Sequence, residues 1–286
     1  MRHILLALTV FSAPALALGQ EITPFEDPSR LVTIGGSLTE IVFELGAEDY
    51  LVARDSTGTY PEAAAELPDV GYMRALAPEG VLSVEPTALL MLEGAGPLEA
   101  LEVLQSASVP IVTVPESYDA AGVATKVEMV GAALGLNEDA EALNARIAAD
   151  FAAVEELTAE IGERKSVLFI LSMAGGRLNA SGTGTAADGI IALAGADNAI
   201  TEYEGYRQLT EEAIINANPD VILMMDRGGD HAVNDAELLN HPAVSLTTAG
   251  QTGAIIRMDG EYLLGFGPRA ASAARELSQA IYAGED

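Results

Sequence analysis

The chain has 286 residues, 49% hydrophobic and 20% charged, which is enough for two lobes with substantial cores and unlike a disordered polymer. Its 14 Lys and Arg face 43 Asp and Glu, so a nucleic-acid backbone or an anionic membrane surface would be repelled. An anionic ligand must instead meet locally placed arginines, and 12 of the 14 bases are arginine, whose planar fork suits carboxylates.

Residues 1–19, "MRHILLALTVFSAPALALG", have a basic start, an apolar run and a small-residue site at Ala15-Leu16-Ala17. This is the layout of a cleaved secretory signal, with cleavage expected after Ala17 or Gly19. The run is short for a membrane span. The total absence of cysteine excludes disulfides, thiolate metal sites and a cysteine-attached lipid. In a bacterium with an outer membrane, the expected location is the free periplasm.

Residues 28–136 alternate strand and helix patterns. "RLVTIGG" feeds "SLTEIVFELGA", and "ALLMLEGAG" and "VPIVTVPES" flank "PLEALEVLQSAS". Residues 137–163 then form a proline-free helical stretch with a start signal at Asn137, roughly 40 Å long at the helical rise. A second strand-helix set, 164–284, opens on "KSVLFILS". The expected fold is therefore α/β, with two Rossmann-like lobes of mostly parallel sheets joined by a single long α-helix and a ligand cleft between them.

The two sets resemble each other. "RALAPEGVLSVEPTALLML" from Arg74 aligns without gaps on "RQLTEEAIINANPDVILMM" from Arg207. Arg74 matches Arg207, Leu76 matches Leu209, Glu79 matches Glu212 and Pro86 matches Pro219. In facing parallel sheets, ligands bind at the carboxyl ends of the strands. The expected cleft loops are 55–61, 71–74 and 93–96 in the first lobe, and 172–176, 203–207 and 226–231 in the second. Tyr72 aligns with Gly205, so the phenol is a one-sided feature. On residues alone, the simpler account is that Tyr72 packs at a lobe edge and Arg74 pairs with a surface carboxylate.

"GGSLTEIVFELGA", "STGTYP", "VGYMRALAPEG", the long helix, "SGTGTAAD" and "GYRQLTEEAIINANPDVILM" together resemble the periplasmic haem-binding proteins of bacterial haem ABC transporters. These belong to the helix-linked class that also includes cobalamin and ferric-siderophore binders. The resemblance covers nearly the whole mature chain, and "GYMR" before "LxxEG" is its specific part. It implies a non-enzymatic carrier of haem b as transported ligand, with Tyr72 as axial iron ligand and Arg74 favouring its phenolate. Arg207 and Arg227 would hold propionates, and Tyr206 would stack on the porphyrin. It further implies docking on an inner-membrane ABC permease and its ATPase through Glu79 and Glu212, each in the first turn of a helix. An outer-membrane haem receptor would act upstream, and a monomer is expected. The competing readings are a ferric-siderophore or corrinoid binder of the same class and, more distantly, an exported enzyme.

Only His231 and His241 remain after the leader, both read as loop residues, which weighs against a zinc or manganese binder. No Ser-His-Asp signature, phosphate loop or H-E-x-x-H helix is present.

Overall fold

The computed structural model describes residues 22–226 and 233–283. The expected leader and the residues Arg227 and His231 lie outside the described residues.

The first lobe is built on four parallel strands, β1 (Leu31–Ile34), β2 (Leu51–Arg54), β3 (Ala88–Leu92) and β4 (Ile111–Val114), in the order β2-β1-β3-β4. Every residue of β1 and β3 is buried. Such continuous apolar strands are what a parallel sheet covered on both faces requires.

The second sheet comprises β5 (Ser166–Ala174), β6 (Arg177–Ser181), β7 (Asp197–Asn198), β8 (Tyr206–Gln208), β9 (Val221–Asp226) and β10 (Ile255–Asp259). Its path is β10-β9-β5-β6-β8, with β7 on β5; β5, β7, β9 and β10 are parallel, while β6 runs antiparallel to both β5 and β8. Alternate residues of its central strands face different cores. Val167, Phe169, Val221 and Leu223 join one cluster, and Leu168, Ile170, Ile222 and Met224 join the other, as the two-residue pleat demands.

One expected cleft loop is absent. At 172–176 the chain continues along β5 and turns back through Gly175 and Gly176 into β6, so this segment is a hairpin. His241 is a loop residue, as expected, but not an exposed one. It is buried, its Nδ1 accepts from the Ala243 N–H at 3.2 Å, and its Nε2 is therefore the protonated nitrogen donating to the Gly176 carbonyl at 2.8 Å.

The long helix runs Asn137–Ala159. It stops four residues short of 163 because the chain tightens there, with Ile161 N–H bonding the Thr158 carbonyl at 3.2 Å. Asn137 is its first helical residue and caps nothing. The buried Leu143, Ile147, Phe151 and Val154 form a stripe at helical spacing. That stripe packs against helix Ala120–Leu134 of the first lobe and helix Ala270–Ile281 of the second. A single cluster of buried apolar side chains runs from Leu31 and Leu89 through Phe151 to Ile190 and Leu277. The two lobes therefore share a core at the back of the cleft.

Candidate functional site

Tyr72 stands on a rim held at successive backbone positions. Gly71 takes a φ of 102°, a region that side chains avoid. Its N–H bonds the Asp69 carboxylate at 2.8 Å, and its carbonyl accepts from Ser56 N–H at 3.0 Å. Beyond Tyr72, a short 3-10 turn spans Met73–Ala75, with Ala75 N–H closing on the Tyr72 carbonyl at 2.8 Å. The Met73 carbonyl accepts from Gly96 N–H at 2.8 Å, tying the rim to the loop after β3. The Met73 side chain is buried, whereas Tyr72 is 46% exposed. No hydrogen bond, ion pair or ring contact engages the Tyr72 side chain among the described residues.

Arg74 has neighbours in both lobes. Burial pushes the Tyr118 hydroxyl up, and the Glu116 charge adds to this, while the Arg74 guanidinium beside it acts in the opposite sense. The Glu116 carboxyl is raised by burial and held back by Lys126, with Arg74 a lesser influence. Lys126 is fully buried, pairs with Glu116 and donates to the Phe266 carbonyl of the second lobe at 3.1 Å. Across the cleft, burial also raises Tyr206, against the hydroxyls of Thr185 and Ser181, the Ala187 N–H and the charge of Arg74. The charge of Arg74 in the first lobe thus reaches Tyr206 in the second.

Arg207 is placed differently. The aligned repeat holds for helix Pro78–Leu82 before β3 and helix Glu211–Ala217 before β9, but it breaks just upstream. Arg74 lies in a 3-10 turn, while Arg207 lies in edge strand β8, opposite Ala180. The pleat sends neighbouring side chains to opposite faces. Tyr206 meets Phe169 edge-on at 6.4 Å, and Arg207 lies over the Tyr203 ring at 5.1 Å.

At the β2 side of the cleft the lobes are joined by polar contacts that sequence reasoning did not find. Glu40 pairs with Arg269, whose guanidinium carbon lies 3.4 Å from the Tyr60 ring centre and 5.1 Å from that of Tyr262. Thr59 donates to the Glu261 carboxylate from its hydroxyl at 2.6 Å and from its N–H at 3.2 Å. Burial pushes the Glu261 carboxyl up to about 7. Thr59, Tyr60, Asp259, Glu261, Tyr262 and Arg269 line an open pocket of about 350 Å³. Buried carboxylates such as these carry no pattern of their own in a chain with 43 acidic residues.

Glu79 and Glu212 are both exposed, each the second residue of its helix; Thr210 caps the second helix by accepting from Ala213 N–H at 3.1 Å. Among the described residues, no group of three or more His, Asp or Glu side chains converges as a metal site. None of the described helices is long and apolar enough to cross a membrane.

Two α/β lobes on a shared core, with aromatic and cationic side chains gathered between them, define a solute-binding protein. Residues 31–262 match the periplasmic binding protein family, and the chain belongs to it. Members of that family are solute-binding transport proteins, not enzymes. The chain is 37% identical to the periplasmic heme-binding protein BhuT in its complex with two hemes, covering 88% of this chain and 97% of that one with a TM-score of 0.84. It is 36% identical to the periplasmic heme-binding protein RhuT from Roseiflexus sp. RS-1, covering 89% and 98% with a TM-score of 0.85. A curated relative, the uncharacterized ABC transporter substrate-binding lipoprotein YvrC of Bacillus subtilis, is 28% identical over 93% of this chain and 84% of that protein.

Proposed function

We propose that this protein binds ferric haem in the interlobe cleft, with the Tyr72 phenolate as axial ligand, and delivers it from the periplasm to an inner-membrane ABC permease. The observation that carries this reading is Tyr72 itself, an exposed phenol without a partner among the described residues, on a rim whose backbone is bonded at Gly71 and Met73. Tyrosinate is a recognised haem ligand and supplies the hard anionic oxygen that ferric iron favours. A free phenol titrates near pH 10, so the iron and a nearby cation must favour ionisation. Arg74 is the base on the same rim. In the second lobe Arg227 is the base for the propionates and Tyr206 presents a half-open ring to the porphyrin, while Arg207, on the other face of β8, is held over Tyr203. The relatives named as heme-binding align over nearly the whole chain, which supports haem as the ligand class. Glu79 and Glu212, one per lobe at equivalent helix positions, are the docking pair for a two-fold permease.

Hemin titration tests this. A high-spin ferric spectrum with a charge-transfer band is expected from the wild type and not from Tyr72→Ala. Cyanocobalamin and a ferric hydroxamate are the competing arms; tighter binding of either, with no hemin band, would replace the haem reading.

A further inference from the structure

We infer that Asp55 is the positioning residue for Tyr72, its carboxylate fixing the peptide that links Tyr72 to Met73. Asp55 follows the last residue of β2 and is 0% exposed. Its own N–H donates to the Thr33 carbonyl at 2.9 Å, which locks its backbone to β1. Oδ1 accepts from Gly35 N–H at 2.9 Å and from the Thr57 hydroxyl at 2.8 Å. Oδ2 accepts from Met73 N–H at 3.1 Å. One buried side chain therefore joins the loop after β1, the loop after β2 and the rim that bears Tyr72.

The chemistry calls for a carboxylate there. All three partners are donors, and the only group that offers acceptors on both arms is an ionised carboxyl. Burial pushes the Asp55 carboxyl up, and the bonds from Thr57, Gly35 and Met73 act against that. In Asp55→Asn, one arm becomes an NH2 group that must face a donor. If the oxygen keeps Gly35 and Thr57, the NH2 faces Met73 N–H and the rim loses its anchor beside Tyr72.

The Met73 amide offers a second route that leaves Asp55 in place. Tyr72 has φ −81° and ψ 132°, the conformation a residue before proline prefers, and Met73 opens a 3-10 turn, where proline is tolerated. Met73→Pro thus deletes the N–H that Asp55 grips. Met73→Ala loses nearly the same buried side chain but keeps the N–H, so the pair isolates one hydrogen bond.

The test compares Met73→Pro with Met73→Ala, and Asp55→Asn with wild type, by hemin titration and by amide hydrogen exchange. Hemin affinity should fall about tenfold or more in Met73→Pro relative to Met73→Ala, the effect of one hydrogen bond to a charged group. The charge-transfer band should also shift, and the Ala75 and Gly96 amides should exchange about tenfold faster while those of β1 stay protected. Asp55→Asn should behave in the same way against wild type. Equal affinity, equal spectra and equal exchange in the Met73 pair would overturn the proposal, and so would exchange that accelerates uniformly across the fold. The spectroscopic arm rests on the haem reading. If wild type takes up no hemin, that reading falls and the exchange arm alone decides the role of Asp55.

Discussion

The Glu40 carboxylate, on the first helix of the first lobe, lies 3.0 Å from the Arg269 guanidinium of the second, and Arg269 N–H donates to the same oxygen at 3.1 Å. The Glu40 side chain is only 4% exposed. Burial raises its carboxyl, and the hydrogen bonds and charge of Arg269 hold it back. Removing Arg269 strands a buried charge, so Arg269→Ala should cost about 3 kcal/mol in urea unfolding. Replacing both partners by methionine should recover more than half of that loss, because a buried ion pair recovers little more than its desolvation cost.

Stability should also depend on pH through Glu261. Its carboxyl is raised from 4.5 to about 7 in the folded protein, so between those values the native state binds more protons than the unfolded one. The contribution is fully present below pH 4.5 and is lost as pH rises through about 7. At pH 8 the cost to wild type is of order 3 kcal/mol, so Glu261→Gln should be more stable there and close to wild type near pH 4.5. Denaturant midpoints of both proteins across that range check the sign; a wild-type curve that rises from pH 5 to 8 by the same amount as the variant's would contradict it.

Arg74→Ala should weaken hemin binding by about tenfold and make it more sensitive to acid. Without that positive charge on the rim, an iron-bound phenolate competes less well with protons, so affinity should drop faster as pH falls than it does in wild type. Spectral titrations at pH 6 and pH 8 measure the difference. An equal loss at both values would mean that Arg74 acts on the propionates alone.

The lobes should move little when the cleft fills. They share one apolar core, the long helix packs on both, and Glu40–Arg269, Thr59–Glu261 and Lys126–Phe266 bridge them. Solution scattering before and after loading should give the same radius of gyration.

Glu79→Ala combined with Glu212→Ala should leave hemin binding unchanged and lower the stimulation of the permease's ATPase in liposomes. Rim charges of this kind orient encounter more than they add affinity. Full stimulation at physiological salt would reduce both glutamates to helix N-terminal residues, a role their first-turn positions also fit.

The class of fold was legible because apolar runs and helical spacing are local. "ALLML" can only be a buried strand beside its neighbours, and the stripe Leu143, Ile147, Phe151 and Val154 can only be one helix face. The Arg74–Arg207 repeat was equally readable, but it overstated the symmetry, because backbone pairing with β6 puts Arg207 in a strand and turns it to Tyr203. Tyr72 could be singled out by its neighbours in sequence. What holds it could not, since Asp55 and Met73 are 18 positions apart and meet only when β1 and β2 align. Likewise Glu40, Glu116 and Glu261 look like any other glutamate until folding buries them against Arg269, Lys126 and Thr59, because desolvation and partner choice depend on three-dimensional neighbours and not on residue order.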